Sequence, residues 1–480
     1  MKYRCLLCQC LWLTLFLTSP ATMSQSTSEF DQWKQQFLTE LDTYKDEVDR
    51  EFAGFLKTKW REFTTEEGVK RDPVPKPLEM PRDEPKSVAV PKPVAPVTVP
   101  YVLKTENLPR QPSPVTIQGE KVKLIFLGHE IALYTKIDRE FTLSQTINQS
   151  TLQNSFDRLA KSDYQKLIAD LAKIRHQFQL NDWAYMQLIR QFSDAFLSKS
   201  NNSATLLSWF LLLKSDIKSR IAFANNQIYL LMSTRQPLFN VTYFEFDSER
   251  FYIISKHATV AKKLYSYNGT YPKKLKKSNL AGINKVITAT SLIYRDISFN
   301  YGGTQFDLRV PFNQHAIEFL ATYPQMDFEH YFNVAISQET QQALLAQLKP
   351  IVSQLNNKDA VNFLLSLVQN GFNYETDEVQ FGEENYLFLE ETIFYPSSDC
   401  EDRSVIFAWL VKNLLNINVV GLHFPGHFAT AVQLDQPSGE VIENKGVIYT
   451  VADPTYINAT VGKKMPQFKN ISPKVINFSQ

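Results

Sequence analysis

The stretch YPSSDCEDRS (395–404) decides how this chain is read. Ser398 followed by Glu401 three residues later fits a capping box, which starts a helix and sets Cys400 in its first turn. There the unsatisfied backbone N–H groups and the positive end of the helix dipole favour a thiolate. The same N–H groups can hold an oxyanion on an attacked carbonyl. Val405, Ile406, Trp409 and Leu410 supply an apolar face to seat the helix. Asp399, Glu401 and Asp402 oppose thiolate formation unless they cap the backbone or pair with Arg403. A cationic partner for the thiol therefore has to come from elsewhere.

His427 lies 27 residues after Cys400, behind a Pro425–Gly426 break, and opens the alternating stretch HFATAV. That alternation predicts a strand. VIYTVADPTY places Asp453 at the end of a following strand. Adjacent antiparallel strands bring such a pair together, and an aspartate there orients the imidazole and stabilises its charged form. His423 is a rival base, although the Pro-Gly break places His427 better. Asp453–Pro454 also fits a simple turn start, and a lone buried cysteine is most often structural. Cysteine at a helix start, with His and Asp at these distances, makes a candidate Cys-His-Asp triad.

DCEDRS, GHFATAV and VADPTY, in this order and spacing, resemble the three signature blocks of the transglutaminase-like superfamily. That superfamily shares its catalytic core with papain-like cysteine proteases. The resemblance covers roughly residues 345–465 and implies Cys400 as nucleophile, His427 as general base and acid, and Asp453 as the orienting residue. YPQMDFEHYF (323–332) and NFLLSLVQNGFNYETDEVQFG (362–382) resemble exported bacterial proteins carrying this domain. The pattern departs in one place: no tryptophan stands just upstream of the cysteine to assist the oxyanion. Tyr395 is the nearest candidate for that role.

Around this core the chain divides by composition. Its 480 residues, 44% of them apolar, suffice for several domains. Residues 1–21 read as a secretory signal, with Lys2 and Arg4 before an apolar run and Ser19-Pro20-Ala21 at the cleavage site. Cys5, Cys8 and Cys10 lie in that leader, so the mature chain keeps only Cys400 and has no internal disulfide. Loss of Lys2 and Arg4 takes the formal charge from +1 to −1, which gives no reason to expect nucleic-acid binding. No later segment approaches about 20 apolar residues, so no transmembrane span is expected after cleavage. The mature chain has no HExxH, CxxC or GxxxxGK motif, and the remaining histidines are scattered. No metal or cofactor is expected.

Residues 28–65 carry apolar residues at helical spacing, from Phe30 and Trp33 to Trp60 and Phe63. This amphipathic helical segment either packs on its own protein or binds a cell-envelope partner. FAGFLKTKWREF (52–63) resembles the N-terminal region of membrane-bound lytic murein transglycosylases, which implies an envelope setting. Residues 66–113 read as a linker, because nine prolines within 72–100 favour an extended spacer over a core. Residues 114–340 read as a mixed α+β middle domain, 341–465 as the transglutaminase-like domain and 466–480 as a C-terminal tail. The overall class is α+β.

The middle domain carries an echo. KSNNSATLLSWFLL (199–212) and IAFANNQIYLLM (221–232) match the 400s at an offset of 200, with Trp209 opposite Trp409. Ser200 then stands opposite Cys400, and Gln227 opposite His427. A degenerate copy without the triad would bind substrate or shape the cleft. These readings predict an exported, periplasmic protein. Its expected function is thiol-dependent acyl transfer or hydrolysis at a protein or peptide amide. The alternative is a catalytically inactive envelope module that uses the same fold to bind peptide.

Overall fold

Alternating apolar residues interrupted by turn formers fold as hairpins, and apolar runs at helical spacing fold between them. The structure, a computed structural model, describes residues 47–70 and 119–477, apart from 144–145, 198–200, 255–259, 284–285, 333 and 335. It also describes 32–33, 36, 82–84 and 90–91. The leader 1–21 lies outside the described residues. The chain is α+β.

Helix α1 (47–56) leads to strand β1 (Trp60–Thr64), then to the hairpin β2 (Glu120–Phe126) and β3 (His129–Thr135). Four helices follow: α2 (Gln149–Lys161), α3 (Gln165–Gln177), α4 (Asp182–Phe196) and α5 (Asn201–Lys214). Next come β4 (Ser219–Ala224), β5 (Gln227–Met232), β6 (Tyr243–Phe246), β7 (Glu249–Ile253) and β8 (Lys263–Tyr267). A second hairpin, β9 (Leu292–Tyr301) and β10 (Thr304–Asn313), opens the C-terminal half. It precedes α6 (Gln314–Leu320), α7 (Glu329–Phe332), α8 (Gln338–Val352) and α9 (Asn357–Gly371). The segment after α9 holds β11 (Asn373–Tyr374), α10 (Asp377–Gln380), α11 (Leu389–Phe394) and β12 (Ser397–Ser398). Then come α12 (Cys400–Leu415), β13 (Val419–Phe424), β14 (His427–Val432), β15 (Val441–Asn444), β16 (Val447–Ala452) and β17 (Lys474–Asn477).

The two halves share a topology. The first sheet runs β6-β7-β5-β4-β8 with β1 added at the edge; the second runs β15-β16-β14-β13-β17. Ser219 pairs with Met232 and Ala224 with Gln227; Val419 pairs with Val432 and Phe424 with His427, the same register shifted by 200. Each sheet packs on a central helix, α5 or α12, and each half begins with a hairpin laid on two helices. Leu206, Leu207, Phe210, Leu211 and Leu212 are buried around α5, as expected of a helix enclosed on all sides. The halves differ between those helices. Only residues 197–200 join α4 to α5, whereas residues 372–399 are inserted between α9 and α12. Ser200 and Ser255, the position matching Asp453 by register, lie outside the described residues.

Several boundaries differ from the sequence reading. The amphipathic segment 28–65 is not helical to its end. Gly54 and the turn at 57–58 close α1, and Trp60–Thr64 pairs with β8, because alternating WREFT suits a sheet edge. Phe52 and Leu56 are fully buried, and Phe52 packs on Phe156, Tyr267 and Tyr271. A Cβ at Gly269 would lie 2.3 Å from Phe55 Cζ, so a larger residue there would push the Phe55 ring aside. The segment 66–113 is not simply a spacer. Glu66 bridges Tyr243, and Arg82 bridges Ile457, so its described parts lie along both halves. The hairpin at 292–313 packs on α8 and α9, so the C-terminal half starts well before residue 341. Residues 474–477 of the tail 466–480 form β17 beside β13. Among the described residues no helix is long and apolar enough to cross a membrane.

Docking of α1 has a measurable consequence. Phe52→Ala removes a fully buried ring and is expected to cost about 3–5 kcal/mol of stability in urea unfolding. An unchanged midpoint would contradict the burial of α1.

Candidate functional site

The end of one helix and the start of another fix the site. Arg403, one turn into α12, has no exposed surface. Its Nη2 donates to Phe372 O at 2.7 Å, its Nη1 to Val368 O and Gln369 O, and its Nε to Ser398 O, the last three at 3.3 Å. Val368 and Gln369 lie in the last turn of α9, where carbonyls lack helical partners. A cation is favoured at that negative end. Burial lowers the Arg403 pKa to about 10, so it stays charged at neutral pH. β11 and β12 pair in parallel beside it and close the neck of the 372–399 insertion. Arg295, on β9, clamps the same insertion by donating to Ile393 O and Tyr395 O.

Held in this way, α12 begins at Cys400. Asp399 is the N-cap residue in extended backbone and makes no side-chain cap bond. The capping box expected from Ser398 and Glu401 is therefore not formed; Ser398 is drawn into the β12 bridge. Of the expected apolar face, Val405, Ile406 and Leu410 are buried and Trp409 partly so. Asp402 serves the backbone by accepting from Leu387 N at 2.9 Å.

His427 opens β14 directly after the Pro425–Gly426 turn, where Gly426 takes φ +68. Its ring lies against Phe468, with centroids 5.2 Å apart and planes at 9°. Nε2 and Asp453 Oδ2 are 2.9 Å apart. Asp453 stands just past β16, and its Oδ1 accepts from Thr455 N at 2.9 Å and Tyr456 N at 3.2 Å. The carboxylate accepts, so the imidazole proton belongs on Nε2 and the lone pair on Nδ1. Nδ1 is buried without a hydrogen-bond partner among the described residues. His423 packs on Phe428 instead, with ring centroids 5.8 Å apart.

Helix and strand meet at Ser404, whose hydroxyl donates to Cys400 O at 2.8 Å and lies 3.4 Å from Phe428 O. The first turn of α12 thus leans on the residue next to His427. The thiol itself donates to Glu401 Oε2 at 2.9 Å. Cys400 is 0% exposed, and His427 and Asp453 are 3% exposed, so the site is closed to solvent. The structure brings His427 and Asp453 into contact and sets Cys400 at the neighbouring helix start, without a hydrogen bond to His427 Nδ1. Tyr395 packs edge-on against Phe381 and Phe394, at 5.1 and 5.0 Å between centroids.

Two residues of the site were not singled out from sequence. Gln369 is buried on α9; its Nε2 donates to Asp453 O at 3.0 Å and Ala459 O at 3.1 Å, and its Oε1 accepts from Asn458 N at 3.1 Å. Phe468 forms the wall behind the imidazole. A glutamine beside Leu365, Leu367 and Val368 in an apolar helix was the available signal for Gln369. Phe468 carried none, because its placement depends on the path of the chain after β16.

The insertion also buries carboxyl groups. Glu390 accepts from Asn313 N, Ser337 N and Ser337 Oγ. Glu391 accepts from Phe388 N at 3.0 Å, yet burial pushes its pKa from 4.5 up to about 8. The folded chain therefore holds a proton that the unfolded chain releases above its ordinary pKa. Stability falls as pH rises from about 4.5 to about 8, by about 1.4 kcal/mol per unit from this group. Glu391→Gln keeps a neutral acceptor for Phe388 N and is expected to flatten that slope in urea titrations at stepped pH. An unchanged slope would contradict a buried neutral Glu391.

Compared with known proteins, the chain matches no family model, no curated sequence and no solved structure.

Proposed function

We propose that the C-terminal half is a transglutaminase-like, papain-like thiol acyltransferase or hydrolase. It acts on protein or peptide amides in the cell envelope, after export directed by residues 1–21. The observation that carries this reading is the buried His427–Asp453 pair, with one ring nitrogen left without a partner beside the helix that begins at Cys400. In the working state Sγ turns from Glu401 Oε2 to His427 Nδ1 and gives up its proton. The thiolate then attacks the amide carbonyl carbon. The first-turn N–H groups of α12 hold the oxyanion. The imidazolium, steadied by Asp453, protonates the leaving amine as the C–N bond breaks. Water or an acceptor amine, deprotonated at His427 Nδ1, then attacks the thioester, and Cys400 leaves with its proton restored. No cofactor takes part. The gap at the missing tryptophan is left to Tyr395 or to the backbone.

One observation favours a second reading. The thiol is wholly buried, bonded to Glu401 and surrounded by buried acids, as in a fold kept for binding peptide without chemistry. An activated peptide thioester separates the two. Intact-mass spectrometry is expected to show one acyl group on the wild-type chain and none on Cys400→Ser. It is expected to show at least tenfold slower labelling of His427→Ala. No acyl adduct on the wild type would favour the binding module.

A further inference from the structure

A groove of about 590 Å³ runs between the tip of the β9–β10 hairpin, one face of α9 and the loop at 458–460. Asn362, Ser366, Gln369 and Asn370 follow one another along α9, with Asn300 and Asn458 facing them from the other two walls. Among the described residues no lysine, arginine, aspartate or glutamate lines it. Asn362 and Gln369 are buried and bonded within the fold, to Val461 N and to the backbone of 453, 458 and 459, so the open part of the groove is faced by Ser298, Asn300, Asn370 and Thr460. The two aromatic residues in the walls, Phe299 and Tyr301, are 3% and 4% exposed, so the groove offers no apolar pockets for peptide side chains. Among the described residues no cation stands in its walls to hold phosphate or carboxylate.

A second observation points to a ligand. The Tyr301 hydroxyl is buried without a hydrogen-bond partner among the described residues. A buried unsatisfied hydroxyl costs about 1–3 kcal/mol, and such groups call for a partner. Burial pushes the Tyr301 pKa up to about 12, so the group is a donor at neutral pH. The hairpin tip beside it is open: a Cβ at Gly303 would meet nothing within 4 Å.

We infer that this groove binds a neutral polyhydroxyl ligand, a short uncharged saccharide chain. Each sugar hydroxyl both donates and accepts, as the exposed amides of Asn300 and Asn370 do. The inference does not rest on thiol chemistry, although Gln369 joins groove and site by lining one and holding the backbone of Asp453 in the other.

The test is calorimetric titration of the full chain with two uncharged oligosaccharides, a tetramer of N-acetylglucosamine and a tetramer of glucose, beside tetra-alanine. At least one saccharide is expected to bind in the micromolar to millimolar range, and tetra-alanine not at all. Asn370→Ala and Tyr301→Phe are each expected to weaken saccharide binding at least fivefold. Tyr301→Phe should leave the melting temperature unchanged or raised, because it removes an unpartnered hydroxyl. Neither variant should change acylation of Cys400 by a peptide thioester. Absence of saccharide binding by the wild type, binding of tetra-alanine in its place, or affinities that both variants leave unaltered would overturn the assignment.

Discussion

A single buried guanidinium holds the working end of this protein together. Arg403 takes the open carbonyls at the end of α9 and ties them to the start of α12. The cysteine helix therefore cannot shift without stripping hydrogen bonds from a buried charge. Leaving a buried hydrogen-bonding group unsatisfied costs about 1–3 kcal/mol, and more for a charged one. The clamp acts across the neck of the 372–399 insertion, so it also fixes where that insertion leaves and rejoins the core. Arg295 repeats the device one layer out, on the carbonyls of 393 and 395. The strand half of the site is set independently, by the tight turn before His427 and by Gln369 beneath Asp453.

The two halves of the chain make the insertion meaningful. Both contain the hairpin, the paired helices, the central helix and the five-strand order, with the same hairpin register after the central helix. The first half joins its two inner helices directly. Gln227 stands at the place of His427 and turns its amide back to Ile228 O. The second half carries the insertion, and with it the thiol, the imidazole–carboxylate pair and most of the buried acids. The candidate site is thus an elaboration on a scaffold that the chain builds twice. The described parts of the N-terminal segment bind the outside of that scaffold, through α1 and β1 on the first sheet and residues 82–83 on the second half.

Much of this was legible in the sequence, and the reasons differ by element. The strand at 427–432 was plain because HFATAV alternates directly after a Pro-Gly break. The helix after Cys400 was plain because Val405, Ile406, Trp409 and Leu410 supply its apolar face. The place of His427 and Asp453 at neighbouring strand ends followed from that alternation. Three things were hidden. The strand at 60–64 sits in a stretch whose apolar spacing suits a helix equally well, and only the free edge of β8 decides between them. The strand at 474–477 pairs across the fold, which local sequence does not record. Burial of the thiol arises from packing of the insertion, whose short elements have little local periodicity. Glu401 therefore read as half of a capping box, whereas its carboxylate is the hydrogen-bond acceptor of Cys400.

The central claim is that Cys400, His427 and Asp453 act as one unit despite the closed geometry at rest. The most direct measurement is the pH dependence of iodoacetamide alkylation at Cys400, read in a chain that starts after residue 21 and so carries one thiol, for the wild type and His427→Ala. An isolated thiol titrates near ~8.5. The account predicts alkylation of the wild type that persists well below that pH, limited in rate by opening of the site, and that shifts back toward the isolated-thiol profile in the variant. Identical profiles for the two proteins, or a thiol that reacts only on unfolding, would contradict it.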